Sequence, residues 1–172
     1  TKEQLKGKVD WLREVSGGKP IGIKIAASHI EEDLDFALHA QPDFITLDGR
    51  AGGTGASPKY VKNSVGIPTP FALYRARKFL NERKAYHVSL ISTGGLRVSS
   101  DFAKALALGA DAVGISTSAL IAIGCKQYRI CNTGKCPVGI ATQDPELRKN
   151  FKGTPEHVIN FMYFVAEELR KY

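Results

Sequence analysis

The chain has 172 residues, 43% of them hydrophobic and 24% charged, and carries a formal net charge of +7. That balance excludes a disordered chain and suits one globular unit with enough apolar content for a core. No apolar run approaches the length of a membrane span, and Thr1 to Asp10 holds no basic-then-apolar leader, so a cytoplasmic protein with no membrane partner is expected. The Lys and Arg residues are interleaved with acids such as Glu31, Glu32, Asp33 and Asp35, and no nucleic-acid motif is present. A basic surface of this kind suits anionic small molecules or an acidic electron donor, while for most of these lysines plain solvated surface is the expected reading.

Leu5, Val9, Trp11, Leu12 and Val15 fall at helical spacing, which predicts a helix over 2–15 stopped by Ser16-Gly17-Gly18. Residues 21–27 alternate as a strand, with Ile21, Ile23 and Ile25 on one face and Gly22, Lys24 and Ala26 on the other. Ser28 with Glu31 reads as a capping box, and Ile30, Leu34, Ala37 and Leu38 give the next helix its buried face, with His29 and His39 on the surface. Residues 44–48 form a second β run, followed by an eleven-residue loop, 48–58, too rich in glycine to be a plain connector. Thr69-Pro70 predicts a cap and first helical position, with the helix running from Phe71 to about Arg83.

A third strand is expected over 88–92, closed by Thr93-Gly94-Gly95. Ser99 or Ser100 then caps a helix through Leu108, and Gly109 ends it. Residues 112–116 read as a fourth strand. Beyond the cysteine loop, Thr154-Pro155 caps a final amphipathic helix over 154–171 carrying Val158, Ile159, Phe161, Met162, Val165 and Leu169. Strands alternating with helices argue βα units and a parallel sheet. With Gly22 and Gly114 on the inward side, the expected fold is α/β: the C-terminal half, about four βα units, of a (β/α)8 TIM-type barrel. A complete barrel takes about 250 residues. The expected organisation is a single partial domain: a half-barrel over about 1–120, a cysteine loop at 124–139 and the last helix. Thr1 in place of an initiator Met fits a processed or truncated chain, although Met removal alone also explains it.

All three cysteines, Cys125, Cys131 and Cys136, lie in one loop with C-x5-C-x4-C spacing followed by Pro137. Three thiolates on a short loop suit one metal centre; structural zinc wants four ligands, and no His or further Cys lies nearby. A three-iron, four-sulfur cluster needs only three, Cys-Pro recurs at the end of iron–sulfur runs, and Lys126, Arg129 and Lys135 favour thiolates. The ordinary alternative is three buried or paired cysteines; an odd count in one loop argues against a disulfide framework.

Gly124-Cys125 through Cys136-Pro137-Val138-Gly139-Ile140-Ala141-Thr142-Gln143-Asp144-Pro145-Glu146-Leu147-Arg148 resembles the iron–sulfur loop of glutamate synthases. Residues 48–58, Asp48-Gly49-Arg50-Ala51-Gly52-Gly53-Thr54-Gly55-Ala56-Ser57-Pro58, are similar to a second signature of that family, although Arg50-Ala51 extends the usual pattern. The resemblance runs from about Ile21 to the C-terminus and covers the end of the family's flavin-binding domain. It implies FMN and a [3Fe-4S] cluster, with hydride passing from reduced FMN to 2-iminoglutarate, formed from ammonia and 2-oxoglutarate, to give L-glutamate. It also implies partners: the other barrel half or a second copy, a glutaminase domain or subunit, and a ferredoxin or an NAD(P)H-oxidising subunit as donor. The rival readings are a related flavin enzyme acting on N-methylglutamate and a non-catalytic electron-transfer subunit.

In TIM barrels a phosphate is commonly held by the loops after the last two strands. Gly94, Gly95, Gly114, Ser116 and Thr117 occupy those loops, and a helix starting just beyond would add its dipole; paired glycines taken alone are more often mere turns. Lys24 sits mid-strand among small residues, so its ammonium is expected at the barrel mouth facing an anion, either the flavin ring or a substrate carboxylate, the alternative being a lysine that snorkels to solvent. Asp48, at the catalytic rim, is expected to orient Lys24 or a backbone amide, or just to cap its turn; the family resemblance implies that Gly52 and Gly53 lie near the flavin and cluster. No dinucleotide fingerprint is present, so reducing equivalents must come from elsewhere.

Overall fold

The computed structural model describes residues 1–53 and 57–172, apart from the side chains of Lys59, Lys62 and Asn63. Four strands, β1 (Gly22–Ala26), β2 (Phe44–Asp48), β3 (Ser89–Thr93) and β4 (Ala112–Val113), form one parallel sheet in the order β1-β2-β3-β4. The helices, with α1 at Lys2–Val15, are α2 (Ile30–His39), α3 (Lys59–Ser64), α4 (Thr69–Glu82), α5 (Ser99–Ala107), α6 (Thr117–Ala122), α7 (Pro145–Arg148) and α8 (Pro155–Leu169). This is the α/β architecture of half a (β/α)8 barrel, and the sheet does not close.

The core follows from the period of two in the strands. Ile45, Leu47 and Leu90 are buried on the sheet face that meets Leu34, Leu73, Ala76 and Leu80 of α2 and α4. Each such Leu or Ile stabilises the fold by about 1.5–3 kcal/mol through burial alone. The opposite face carries Gly22, Lys24, Thr46, Asp48, Ile91 and Thr93 in register, Lys24 beside Thr46 beside Ile91 and Ala26 beside Asp48 beside Thr93. Lys24 and Ala26 are exposed there, so this is the face a closed barrel would turn inward. Gly22 is required on it: a Cβ would stand 2.0 Å from the Phe44 ring.

Several caps differ from expectation. Ser28 does not cap α2; His29 stands at that position and its side chain makes no capping bond to the helix. Thr69 is inside α4 rather than before it, and its hydroxyl donates instead to the Gly94 carbonyl at 2.6 Å. Ser99 is likewise the first residue of α5, its hydroxyl engaged by Glu168 of α8, while Asp101 accepts from the Arg97 and Val98 amides. For Thr69 and Ser99 a tertiary partner competes with the helix end for a short polar side chain. Thr154 does cap α8, its amide donating to His157 Nδ1 at 3.0 Å.

The fourth strand is shorter than expected. It stops at Val113, although the Gly114 amide still donates to Ser92 O, because Ser116 already serves as N-cap of α6. The short helices α3 and α7 lie in segments to which no element is assigned from the sequence.

Candidate functional site

The strand tips at one end of the sheet surround a cavity of about 290 Å³. Lys24, Asp48, Gly52, Gly53, Gly94, Gly95, Gly114, Ser116 and Thr117, all selected from the sequence, line it together. Thr54, Gly55 and Ala56 of the glycine loop lie outside the described residues. Drug-sized ligands occupy roughly 300–1,000 Å³, so this volume suits part of a large cofactor, with the rest over the uncovered sheet face. Ala51, Thr93, Leu96, Leu120 and Cys131 complete the lining; Cys131 is singled out from the sequence as a cluster ligand, and Thr93 stands at a strand end before paired glycines.

Lys24 reaches the rim because β1 turns its side chain to the inner face, where Asp48 stands one strand over. Its ammonium is 2.8 Å from Asp48 Oδ2, with the Lys24 side chain 61% and the Asp48 side chain 18% exposed. Asp48 Oδ1 is buried with no hydrogen-bond partner among the described residues. A Cβ on Gly52 would stand 1.6 Å from it, so glycine there is what admits the carboxylate. Of the partners expected for Asp48, Lys24 is the one it pairs with.

The far rim is built from backbone. Gly94 and Gly95 have φ of 109° and 83°, a region that favours glycine, and neither amide donates to a backbone carbonyl among the described residues. N–H groups with no backbone acceptor among the described residues, on residues that line a cavity, suit an anion such as a phosphate, so these residues fit a phosphorylated cofactor. Ser116 and Thr117 add hydroxyls, and the neighbouring Ser118 Oγ is buried without a partner among the described residues. α6 is only six residues long.

The cysteine loop meets the same cavity. Cys131 is exposed and lines it, Cys125 is half-buried and accepts from Gln127 Nε2 at 3.5 Å, and Cys136 is buried. Burial pushes the Cys136 thiol up, but the Ala141, Ile140, Val138 and Gly139 amides together outweigh it and hold the group below the ordinary thiol value. A sulfur ringed by amides is prepared to be a thiolate ligand, and this donor chemistry fits an iron–sulfur group. Among the described residues, however, no three Cys, His, Asp or Glu side chains stand close enough to hold a metal ion, so the three sulfurs do not converge here.

A model of the conserved region in glutamate synthase matches residues 1–172. The chain belongs to the glutamate synthase family. It is 49% identical over 133 residues to the archaeal-type glutamate synthase [NADPH] of Thermotoga maritima, a match covering 76% of this chain and 26% of that protein. It is also 41% identical over 157 residues to the archaeal glutamate synthase [NADPH] of Archaeoglobus fulgidus, covering 89% of this chain and 31% of the relative. With the glutamate synthase [NADPH] large chain of Azospirillum brasilense it shares 42% identity over 162 residues, 93% of this chain and 11% of the relative. The chain thus spans about a third or less of the family members it matches. No helix among the described residues is long and apolar enough to cross a membrane.

Proposed function

We propose that this chain supplies the phosphate-binding and cluster-bearing half of a glutamate synthase flavin site. The supporting observation is the convergence of Lys24, Asp48, the paired glycines and Cys131 on one cavity. When bound, FMN supplies the hydride that turns 2-iminoglutarate, made from ammonia and 2-oxoglutarate, into L-glutamate, with electrons arriving by way of a [3Fe-4S] cluster.

The chain's own residues divide that work. Gly94, Gly95, Gly114, Ser116 and Thr117 bind the phosphate with backbone amides and hydroxyls. Lys24 offers its ammonium to negative charge on the ring edge or the substrate carboxylate, and Asp48 fixes where that ammonium sits. Gly52 and Gly53 let the loop approach the ring. Cys125, Cys131 and Cys136 hold the cluster, with Cys131 nearest the flavin side.

As a single partial domain, with half-barrel, cysteine loop and last helix in that order, the chain needs the other barrel half for the remaining substrate contacts. The open sheet face and, among the described residues, the two unpaired edges favour that arrangement. A glutaminase domain or subunit supplies ammonia, and a ferredoxin or an NAD(P)H-oxidising subunit supplies electrons, in the cytoplasm.

The test uses the full-length protein. It should release FMN on denaturation, and its reduced flavin should be reoxidised when 2-oxoglutarate and ammonia are added together. Protein without flavin, or flavin indifferent to that pair of substrates, would overturn the reading.

A further inference from the structure

We propose that Thr69 is a positioning residue that sets which way the Gly94–Gly95 peptide faces, and so whether the rim can bind an anion; this rests on the reading of that rim as the flavin-phosphate site. Thr69 opens α4 and is buried, and its hydroxyl donates to the Gly94 carbonyl at 2.6 Å. In a trans peptide the carbonyl of one residue and the N–H of the next point in opposite directions. Holding the Gly94 oxygen toward α4 therefore turns the Gly95 N–H the other way, toward the cavity that Gly95 lines.

The lock is needed because the peptide lies between two glycines. With φ of 109° and 83° and no Cβ on either side, nothing local resists a flip. A flipped peptide would present a carbonyl oxygen where the phosphate needs a donor.

The surroundings leave the Thr69 hydroxyl little choice. The segment before it is fastened to two strand tips: the Ile67 amide donates to Ala27 O at 2.8 Å and the Arg50 amide to Ile67 O at 2.9 Å. Thr69 extends this strap to the tip of β3. Gly49 makes the contact possible, since a Cβ there would stand 2.0 Å from Thr69 Oγ1, and a Cβ on Gly94 would stand 2.6 Å from the Gly49 amide nitrogen. Nothing in α4's own start uses the hydroxyl, because Thr69 is not its cap.

The experiment compares FMN with riboflavin, which share the ring and differ in the phosphate, on the full-length protein. The parent should bind FMN more tightly than riboflavin. Thr69→Val, which keeps the shape and removes the hydroxyl, should weaken FMN by about tenfold, the effect of one lost buried hydrogen bond, and leave riboflavin unchanged. Thr69→Ser should restore the parent's preference. If the Val variant does not fold, Thr69→Ala read against Thr69→Ser isolates the same hydroxyl. An unchanged FMN affinity, or FMN and riboflavin weakened alike, overturns the positioning role while leaving the phosphate site intact. A parent indifferent to the phosphate overturns the site reading itself, and this inference with it.

Discussion

Lys24 and Asp48 share the inner face of adjacent strands, paired at 2.8 Å, and the second oxygen of the same carboxylate is buried without a partner among the described residues. The pair is more than half open on the lysine side, so solvent screens it and its contribution to stability is below about 1 kcal/mol. Lys24→Met should therefore leave thermal unfolding within a few degrees of the parent. The same change should lower the reduction potential of bound flavin, because a positive charge that favours the reduced anion is gone. An unaltered potential, read by spectroelectrochemical titration, would reduce Lys24 to a surface residue.

Gly52→Ala separates the two halves of that pair. Its Cβ would overlap Asp48 Oδ1, so the carboxylate must leave or the loop must move. The expected cost is about 1–3 kcal/mol in denaturant unfolding, the range for overpacking. Gly94→Ala should cost at least as much, because it adds an unfavourable φ to a clash with the Gly49 backbone.

Each of Cys125→Ser, Cys131→Ser and Cys136→Ser should abolish the iron centre, since no other thiol can replace the one removed. Anaerobically prepared parent should contain about three irons per chain and show the magnetic signal of an oxidised three-iron cluster. Gly139→Ala should mimic the loss, because its Cβ would stand 2.7 Å from Leu147 O and disrupt the amide ring around Cys136. Stoichiometric zinc in place of iron would sink the cluster assignment.

Leu90→Ala should destabilise the fold by about 2–5 kcal/mol, because Leu90 is fully buried where β3 meets the helices. Tyr163→Ala, on the exposed side of α8, should change stability by no more than about 0.5 kcal/mol when the chain is measured alone. Chemical denaturation of the two variants side by side checks the contrast.

Acid should weaken the link between α1 and the sheet. The Ile21 amide and the Arg13 guanidinium hold the Asp43 carboxyl below its ordinary value. A depressed folded-state pKa means the stabilisation is complete above the ordinary carboxylate range and is lost as pH falls through the folded value. Arg75 lowers Glu31 and Lys2 lowers Asp35 in the same direction, so the three add to one acid limb. Asp43→Asn should flatten that limb in unfolding measured between neutral and acid pH; an unchanged slope would show that Asp43 contributes nothing to it.

The elements and the site residues were legible wherever a local rule decides. Period two placed β1, β2 and β3 and separated Lys24 and Asp48 from the buried Ile45 and Leu47, and glycines after strand ends marked Gly94, Gly95 and Gly114 as cavity residues. The fate of short polar side chains was not legible. Ser28, Ser99 and Thr69 all resemble helix caps, yet none caps: Ser99 meets Glu168 and Thr69 meets Gly94, partners 69 and 25 residues away in the chain. A hydroxyl chooses among nearby acceptors, and which acceptors are near is settled only when distant segments pack.

The amino-acid sequence by itself determined the αβ alternation, the half-barrel count of strands, the inner-face lysine and the three-thiol loop, because periodicity and composition act within a few residues. Tertiary structure alone decided that Lys24 pairs with Asp48, that Cys131 rather than Cys125 or Cys136 lines the cavity, and that Thr69 holds the Gly94 carbonyl. Those contacts join strand tips separated by tens of residues, and their geometry exists only once the parallel register has brought the tips to one rim.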